Sequence, residues 1–339
     1  VHEFASNLAK YLKCKYVIPC ANGTDALQIA LMSCDLRPGD EVICPSFTYV
    51  ATAEVVALLG LVPVMVNVDE KTFNIKAENI KPFINSKTKA IVPVHLFGQS
   101  ADMEDILSLA QEYNLYVIED NAQAVGAKYT FTNGETKKTG TMGHIGTTSF
   151  FPSKNLGCYG DGGAIFTNDD KLAHSLRGIV NHGMYERYHH DVVGVNSRLD
   201  SLQAVVLDEK LKLLDYYNER RKWAAIRYTQ LFDGHDNIIT PKVVRDCQSH
   251  VFHQYTLRLI DVNRDELVKH LQQKGIPCGV YYPIPLHAQK AYRSDRYKED
   301  NFTVTNQLVK EVISLPMHSE LDDEQIKSIG QAVLAFLNQ

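Results

Sequence analysis

Lys154, in the segment Ser149-Phe150-Phe151-Pro152-Ser153-Lys154-Asn155-Leu156-Gly157, and Asp120, closing Val117-Ile118-Glu119-Asp120, are an amine and a carboxylate that one cofactor chemistry needs together. Pyridoxal phosphate requires an amine to form a Schiff base with its aldehyde. It also requires a carboxylate to keep its pyridine nitrogen protonated, so that the ring accepts carbanion charge. Each residue alone has an ordinary explanation, the lysine as a solvated charge beside a glycine-rich loop and the aspartate as the end of a strand. Their order and surroundings favour the chemical reading. Residues 91–98 read as one buried strand with a glycine exit, 116–119 as the next and 147–150 as another. Ligands of open α/β sheets collect at the carboxyl ends of such strands, and both residues fall just beyond strand ends.

The elements that must position this pair alternate. Gly23-Thr24 stands before an apolar helix, followed by a strand at 41–44, a helix at 51–59, a strand at 64–68 and a helix at 101–113. This alternation predicts a mostly parallel sheet covered by helices. The turn Gly160-Asp161-Gly162-Gly163 leads into a strand of antiparallel direction. A long helical pattern over 201–231 links to a second, α+β unit: a strand at 251–260, a helix at 264–274, a strand at 279–282 ended by Pro283, and a helix at 323–337. The division is a large domain over 1–215 and a small one over 216–339.

The chain has 339 residues, 45% hydrophobic and 22% charged, with a formal net charge of −5. That balance fits a soluble globular protein with room for a large core, and it provides no global field for nucleic acid or an anionic membrane. No apolar run approaches a membrane span and no signal-peptide pattern is present. Cys14, Cys20, Cys34, Cys44, Cys158, Cys247 and Cys278 form no CxxC pair, which fits reduced thiols in the cytoplasm. The chain begins at Val1 within an amphipathic pattern (Phe4, Leu8, Leu12), so a further N-terminal segment is expected.

An anionic cofactor needs a local site. Asn22-Gly23-Thr24 at a helix N-terminus fits phosphate binding, with Ser149 as a second hydroxyl; the alternative is a helix cap by Thr24. Tyr49 fits an aromatic face for the ring, with Phe47 as the competing choice. Gln123 reaches the ring or is an ordinary loop amide. Arg187-Tyr188-His189-His190, followed by Gly194-Val195-Asn196-Ser197-Arg198, suits an anionic substrate or is a solvated loop. The adjacent histidines lack metal-ligand spacing, so no metal site is expected.

These segments together resemble the DegT/DnrJ/EryC1/StrS sugar aminotransferases. The likeness runs from ANGTDAL at Ala21 through PSFTYVATAE, EDNAQAVGA, SFFPSKNLGCYGDGGAIFTND, GVNSRLD and YYPIPLH to SLPMH at Ser314. The resemblance implies fold type I of the pyridoxal phosphate enzymes, with a mostly parallel seven-stranded sheet in the large domain and a small α+β C-terminal domain. It implies that Lys154 carries the cofactor, Asp120 pairs with its ring nitrogen, Gln123 contacts the ring and Tyr49 stacks on it. Gly23, Thr24 and Ser149 would hold the phosphate, with Asn196 reaching the phosphate of the other subunit of a homodimer.

Within that family the motifs are most similar to enzymes that aminate UDP-2-acetamido-2-deoxy-3-oxo-glucuronic acid with L-glutamate, for lipopolysaccharide or O-antigen synthesis. By that likeness Arg198, Tyr281, Tyr282 and His189 would meet the nucleotide sugar. The alternative is a dTDP- or GDP-linked 3- or 4-keto-6-deoxysugar. Tyr281 stands where a histidine is common in the wider family, and a phenol does not supply that positive charge. A related dehydratase branch has a histidine in place of the lysine, and a purely regulatory homologue would be expected to have lost the lysine or the carboxylate. Both are present here.

Overall fold

The structure, a computed structural model, describes residues 1–244 and 248–338. Cys247 therefore lies outside the described residues; the other six cysteines are unpaired. The strands are β1 (Tyr16–Cys20), β2 (Glu41–Pro45), β3 (Val62–Val66), β4 (Thr88–Ile91), β5 (Tyr116–Asp120), β6 (Lys128–Thr130), β7 (Thr136–Lys138), β8 (Ile145–Ser149), β9 (Gly163–Thr167), β10 (Met184–Glu186), β11 (His189–His190), β12 (Ile238–Ile239), β13 (Tyr255–Leu259) and β14 (Val312–Leu315). The helices are α1 (His2–Leu12), α2 (Gly23–Met32), α3 (Ala51–Leu58), α4 (Ala77–Ile80), α5 (Met103–Tyr113), α6 (Asp170–Ile179), α7 (Ser201–Leu211), α8 (Leu214–Phe232), α9 (Arg264–Gln273), α10 (Thr303–Glu311) and α11 (Asp323–Leu337).

Seven strands form one sheet in the order β1-β9-β8-β5-β4-β2-β3. The β8-β5-β4-β2-β3 run is parallel, and β9 is antiparallel to both β8 and β1. Sequence reading missed β1, whose Pro19 lacks a donor; the strand is at the sheet edge, where such a residue is tolerated. Helices α2, α3 and α6 pack an apolar layer on one face through Ala26, Ile29, Val55, Val56 and Leu176, and α5 packs the other through Met103, Ile106 and Leu109. Helix α1 buries Phe4, Leu8 and Leu12, one stripe at four-residue spacing, against Phe150, Leu156 and α7. Burial of three such side chains is worth on the order of 6 kcal/mol. A separate core joins α8, α9 and α11 to the three-stranded sheet β12-β13-β14.

Four expected elements differ. The strand over 91–98 stops at Ile91, because Pro93 cannot donate to a ladder; the chain continues beside β5 through a single bridge, Val94 to Asp120, and turns at Leu96–Gly98. The long helix over 201–231 breaks at Lys212 and Leu213 into α7, whose Ala204, Leu207 and Leu211 pack with α1, and α8, whose Ala224, Tyr228 and Phe232 join the C-terminal core. The strand over 251–260 shrinks to β13. Its first residues instead bond across to the Phe97–Gly98 turn, with Val251 N–H donating to Gly98 O at 2.9 Å and Gln254 N–H to Phe97 O at 3.2 Å. Residues 279–282 form only a Gly279–Ser314 bridge before the donor-poor Pro283 and Pro285.

Candidate active site

Strand β5 ends in two carboxylates, and alternation along a strand sends them to opposite faces. Asp120 lines a cavity of about 650 Å³. Its Oδ2 accepts from Thr52 Oγ1 at 2.9 Å and its Oδ1 from the Ala122 N–H at 3.1 Å. A carboxylate has about four acceptor sites, so Asp120 retains capacity toward the cavity. Glu119 is wholly buried behind it. Its Oε1 accepts from the N–H groups of Met142 and Gly143, both at 2.6 Å, and its Oε2 from Gly140 N–H and His95 Nε2, both at 2.8 Å. His95 Nδ1 accepts from Ala101 N–H at 3.0 Å, which leaves Nε2 to carry the ring proton and donate it.

The loop after β8 brings Lys154 into the same cavity. Phe150 O accepts from Cys158 N–H, and Phe151 O from Lys154 N–H, both at 2.8 Å, so the chain doubles back tightly. A Cβ on Gly157 would lie 2.5 Å from Pro152 O, so only glycine fits that close approach. The Lys154 ammonium makes no side-chain hydrogen bond among the described residues. Burial pushes its pKa down to about 8, with the Asp120 charge opposing.

Next to this pair, three chain segments meet at the N-terminus of α2. The cap is Asn22, whose Oδ1 accepts from Asp25 N–H at 2.8 Å, rather than Thr24 as the capping alternative supposed. Thr24 is inside the first turn, where its N–H and that of Gly23 have no intrahelical partner. A Cβ on Gly23 would lie 2.7 Å from Ser149 Cβ, and one on Gly163 would lie 2.4 Å from Asn22 O. Asn22, Gly23, Thr24 and Ser149 thus line one end of the cavity, at a helix N-terminus that favours an anion.

Aromatic residues form the other wall. Tyr49, 58% exposed, lines the cavity, whereas Phe47 is buried in the core against Phe73 and Phe97. Gln123 also lines the cavity, and its amide is fixed at both ends: Oε1 accepts from Phe97 N–H at 2.6 Å, and Nε2 donates to Tyr282 Oη at 3.2 Å. Burial pushes the Tyr282 phenol up, so it stays neutral, and Tyr281 stands beside it with ring centroids 6.0 Å apart.

Asn196, Arg198 and His189 are not brought to this cavity within one chain. Ser197 is buried, its Oγ accepting from Ala21 N–H at 3.0 Å, and this pins the loop beside the α2 entry with Asn196 and Arg198 exposed on either side. His189 is exposed on the β10-β11 hairpin. Sequence reading assigned no role to Thr52, Asp161 or His253, all of them at the site. Thr52 had a signal, since it is a polar residue in the first turn of the helix that follows Tyr49. His253 had none, because its position follows from the shortened β13.

Residues 1–334 match the DegT/DnrJ/EryC1/StrS aminotransferase family. The chain belongs to that family. Its members depend on pyridoxal phosphate. Across the family, this chain is 47% identical over 338 residues to a pleiotropic regulatory protein of Geobacillus stearothermophilus, covering 99% of this chain and 89% of that one. It is 46% identical over 333 residues to the UDP-2-acetamido-2-deoxy-3-oxo-D-glucuronate aminotransferase of Pseudomonas aeruginosa, covering 98% and 89%. The solved structure of DesV from S. venezuelae, in complex with a ketimine intermediate, matches with a TM-score of 0.94 at 36% identity, over 100% of this chain and 89% of that one. The family's cofactor also fits the cavity on chemistry alone. The cradle at Gly23 has no room for a Cβ, the amine has no hydrogen-bond partner among the described residues, and the carboxylate has unfilled acceptor sites.

Proposed function

We propose that this protein is a homodimeric aminotransferase that takes the amino group of L-glutamate and places it on C3 of UDP-2-acetamido-2-deoxy-3-oxo-glucuronic acid, for a bacterial surface polysaccharide. The observation that carries the chemistry is the half-buried amine of Lys154, its pKa lowered to about 8 and without a hydrogen-bond partner among the described residues, in one cavity with Asp120. Support for the substrate comes from the Pseudomonas aeruginosa relative, similar along almost the whole chain.

In this reading Gly23, Thr24 and Ser149 hold the cofactor phosphate, Tyr49 covers its ring and Gln123 stays fixed beside it. Asp120, oriented by Thr52 and Ala122, presents a carboxylate to a cationic ring nitrogen. Bound there, pyridoxal phosphate supplies an electron sink for the carbon that loses or gains a proton. Lys154 Nζ takes the proton from glutamate Cα in the first half-reaction and returns one to sugar C3 in the second. Glutamate leaves as 2-oxoglutarate, and the 3-oxo group becomes a 3-amino group. Tyr281 and Tyr282 contact the sugar from the small domain. The outward positions of Asn196, Arg198 and His189 suit contacts to a second subunit's phosphate and nucleotide sugar, and the unpaired cysteines suit the cytoplasm.

The test is turnover with glutamate against a panel of nucleotide keto sugars, following 2-oxoglutarate and the amino sugar by mass spectrometry. Product from the UDP-linked 3-oxo-glucuronate alone supports the full reading. Product from a dTDP- or GDP-linked keto-6-deoxysugar instead leaves the aminotransfer and replaces the substrate. Absence of turnover with every sugar, in protein that binds the cofactor, would overturn the enzyme reading in favour of a regulatory role. Light scattering in solution tests the dimer.

A further inference from the structure

Lys154 is followed by a buried polar network that the chemistry described so far does not use. Asn218 on α8 donates from Nδ2 to Val125 O at 3.1 Å, which turns its Oδ1 toward Asn155; Asn155 Nδ2 donates to that oxygen at 2.7 Å and to Val251 O at 3.1 Å. Two backbone carbonyls, which only accept, therefore fix both amide orientations. Asn155 Oδ1 is left facing His253 Nδ1 at 3.3 Å, so Nδ1 must carry the proton in that bond. His253 is 5% exposed and lines the cavity with Lys154. Desolvation, then the Lys154 and Arg221 charges, push its pKa well below the usual histidine range. A neutral ring protonated at Nδ1 has a bare lone pair at Nε2, and no described residue makes a hydrogen bond there.

The ring is also held firmly. Arg221 Nη1 donates to the carbonyls of Phe252 and His253, both at 3.2 Å, and Gly98, with φ of +103°, approaches so closely that a Cβ would lie 2.8 Å from His253 N. Asn155 directly follows Lys154, so its bonds to Asn218 and His253 join the imidazole and the lysine loop into one unit.

We propose that His253 is a positioning residue for Lys154, its unprotonated Nε2 accepting a hydrogen bond from Nζ while the lysine carries a proton between the reacting carbons. The inference rests on the aminotransfer reading, in which Lys154 is the proton carrier. It predicts that Nζ is retained in the cavity between transfers and does not relax toward Asp120, the anionic neighbour acting on its charge among the described residues.

Two measurements test it. The ¹⁵N shifts of the His253 ring in the full chain, assigned by difference with His253→Asn, should report a protonated Nδ1 and a bare Nε2 from about pH 6 to about pH 9. A proton on Nε2 overturns the proposal. The second is the rate at which glutamate bleaches the cofactor's visible band after rapid mixing. His253→Asn retains an N–H toward Asn155 but has no acceptor at the ε position, and it should slow bleaching about tenfold to a hundredfold with the KM for glutamate unchanged. His253→Gln, which restores an acceptor there, should recover most of the rate. Full speed in His253→Asn overturns the inference. Lys154→Ala measured in parallel separates the two levels: if it is inactive while His253→Asn is fast, only the positioning role fails, and if it still bleaches, the aminotransfer reading fails with it.

Discussion

Glu119 and Asp120 are neighbours of the same charge at the end of one strand, and they have opposite fates. Glu119 fills its four acceptor sites with three backbone N–H groups and His95, and so ties the Gly140–Gly143 turn to the sheet. Asp120 receives two bonds and turns its remaining capacity toward the cavity. A buried carboxylate with every site filled is architecture, and one with sites left over is available for chemistry.

That contrast can be broken most directly by exchanging each carboxylate for its amide. Asp120→Asn should lower turnover by about a hundredfold to a thousandfold while leaving the denaturation midpoint nearly unchanged. Glu119→Gln should do the reverse, costing about 3 kcal/mol in urea titration, because an amide N–H would face backbone donors that need an acceptor. Equal losses of stability in the two variants would erase the distinction. A smaller effect is expected at the phosphate cradle. Gly23→Ala must displace Ser149 and should weaken cofactor binding about tenfold, read by equilibrium dialysis. Thr52→Val removes one of the two bonds to Asp120 and should reduce turnover by about tenfold, since a single neutral donor to a carboxylate is worth about 1.5 kcal/mol.

The contrast is sharpened by pH. In cofactor-free protein, labelling of Lys154 by an amine reagent should rise through a midpoint near pH 8, because burial favours the neutral amine. Asp120 opposes that shift, so Asp120→Asn should move the midpoint lower still. Glu119→Gln should not move it, since Glu119 is not among the charges acting on Lys154.

Much of this was legible in residues 1–339. Lys154 and Asp120 could be found because Asp120 closes a strand and Lys154 is in the loop leaving another, the helices α5, α9 and α11 because their apolar stripes are strong and their ends are marked, and α2 because cap residues stand before an apolar run. What was hidden depends on partners distant in sequence. The role of Glu119 requires the 140–143 turn to fold back onto β5. His253 reads as an ordinary member of a strand from 251 to 260, because alternation continues through it; only the bonds from Val251 and Gln254 to the Phe97–Gly98 turn pull it out of the ladder. Asn22 and Thr24 are both good caps, and which of them caps α2 shows only in the bond from Asp25 N–H to Asn22 Oδ1.

The two ends of the cavity also differ in how much change they can absorb. Around Gly23 and Gly163 three segments touch through main chain, and not even a methyl group can be added without displacing a strand. The opposite wall is carried by Tyr281 and Tyr282, on a segment whose prolines leave it few main-chain bonds. Laboratory evolution of this scaffold should therefore find new sugar specificities by randomising 281–285, while the cofactor end stays constant and sets the chemistry that every such variant inherits.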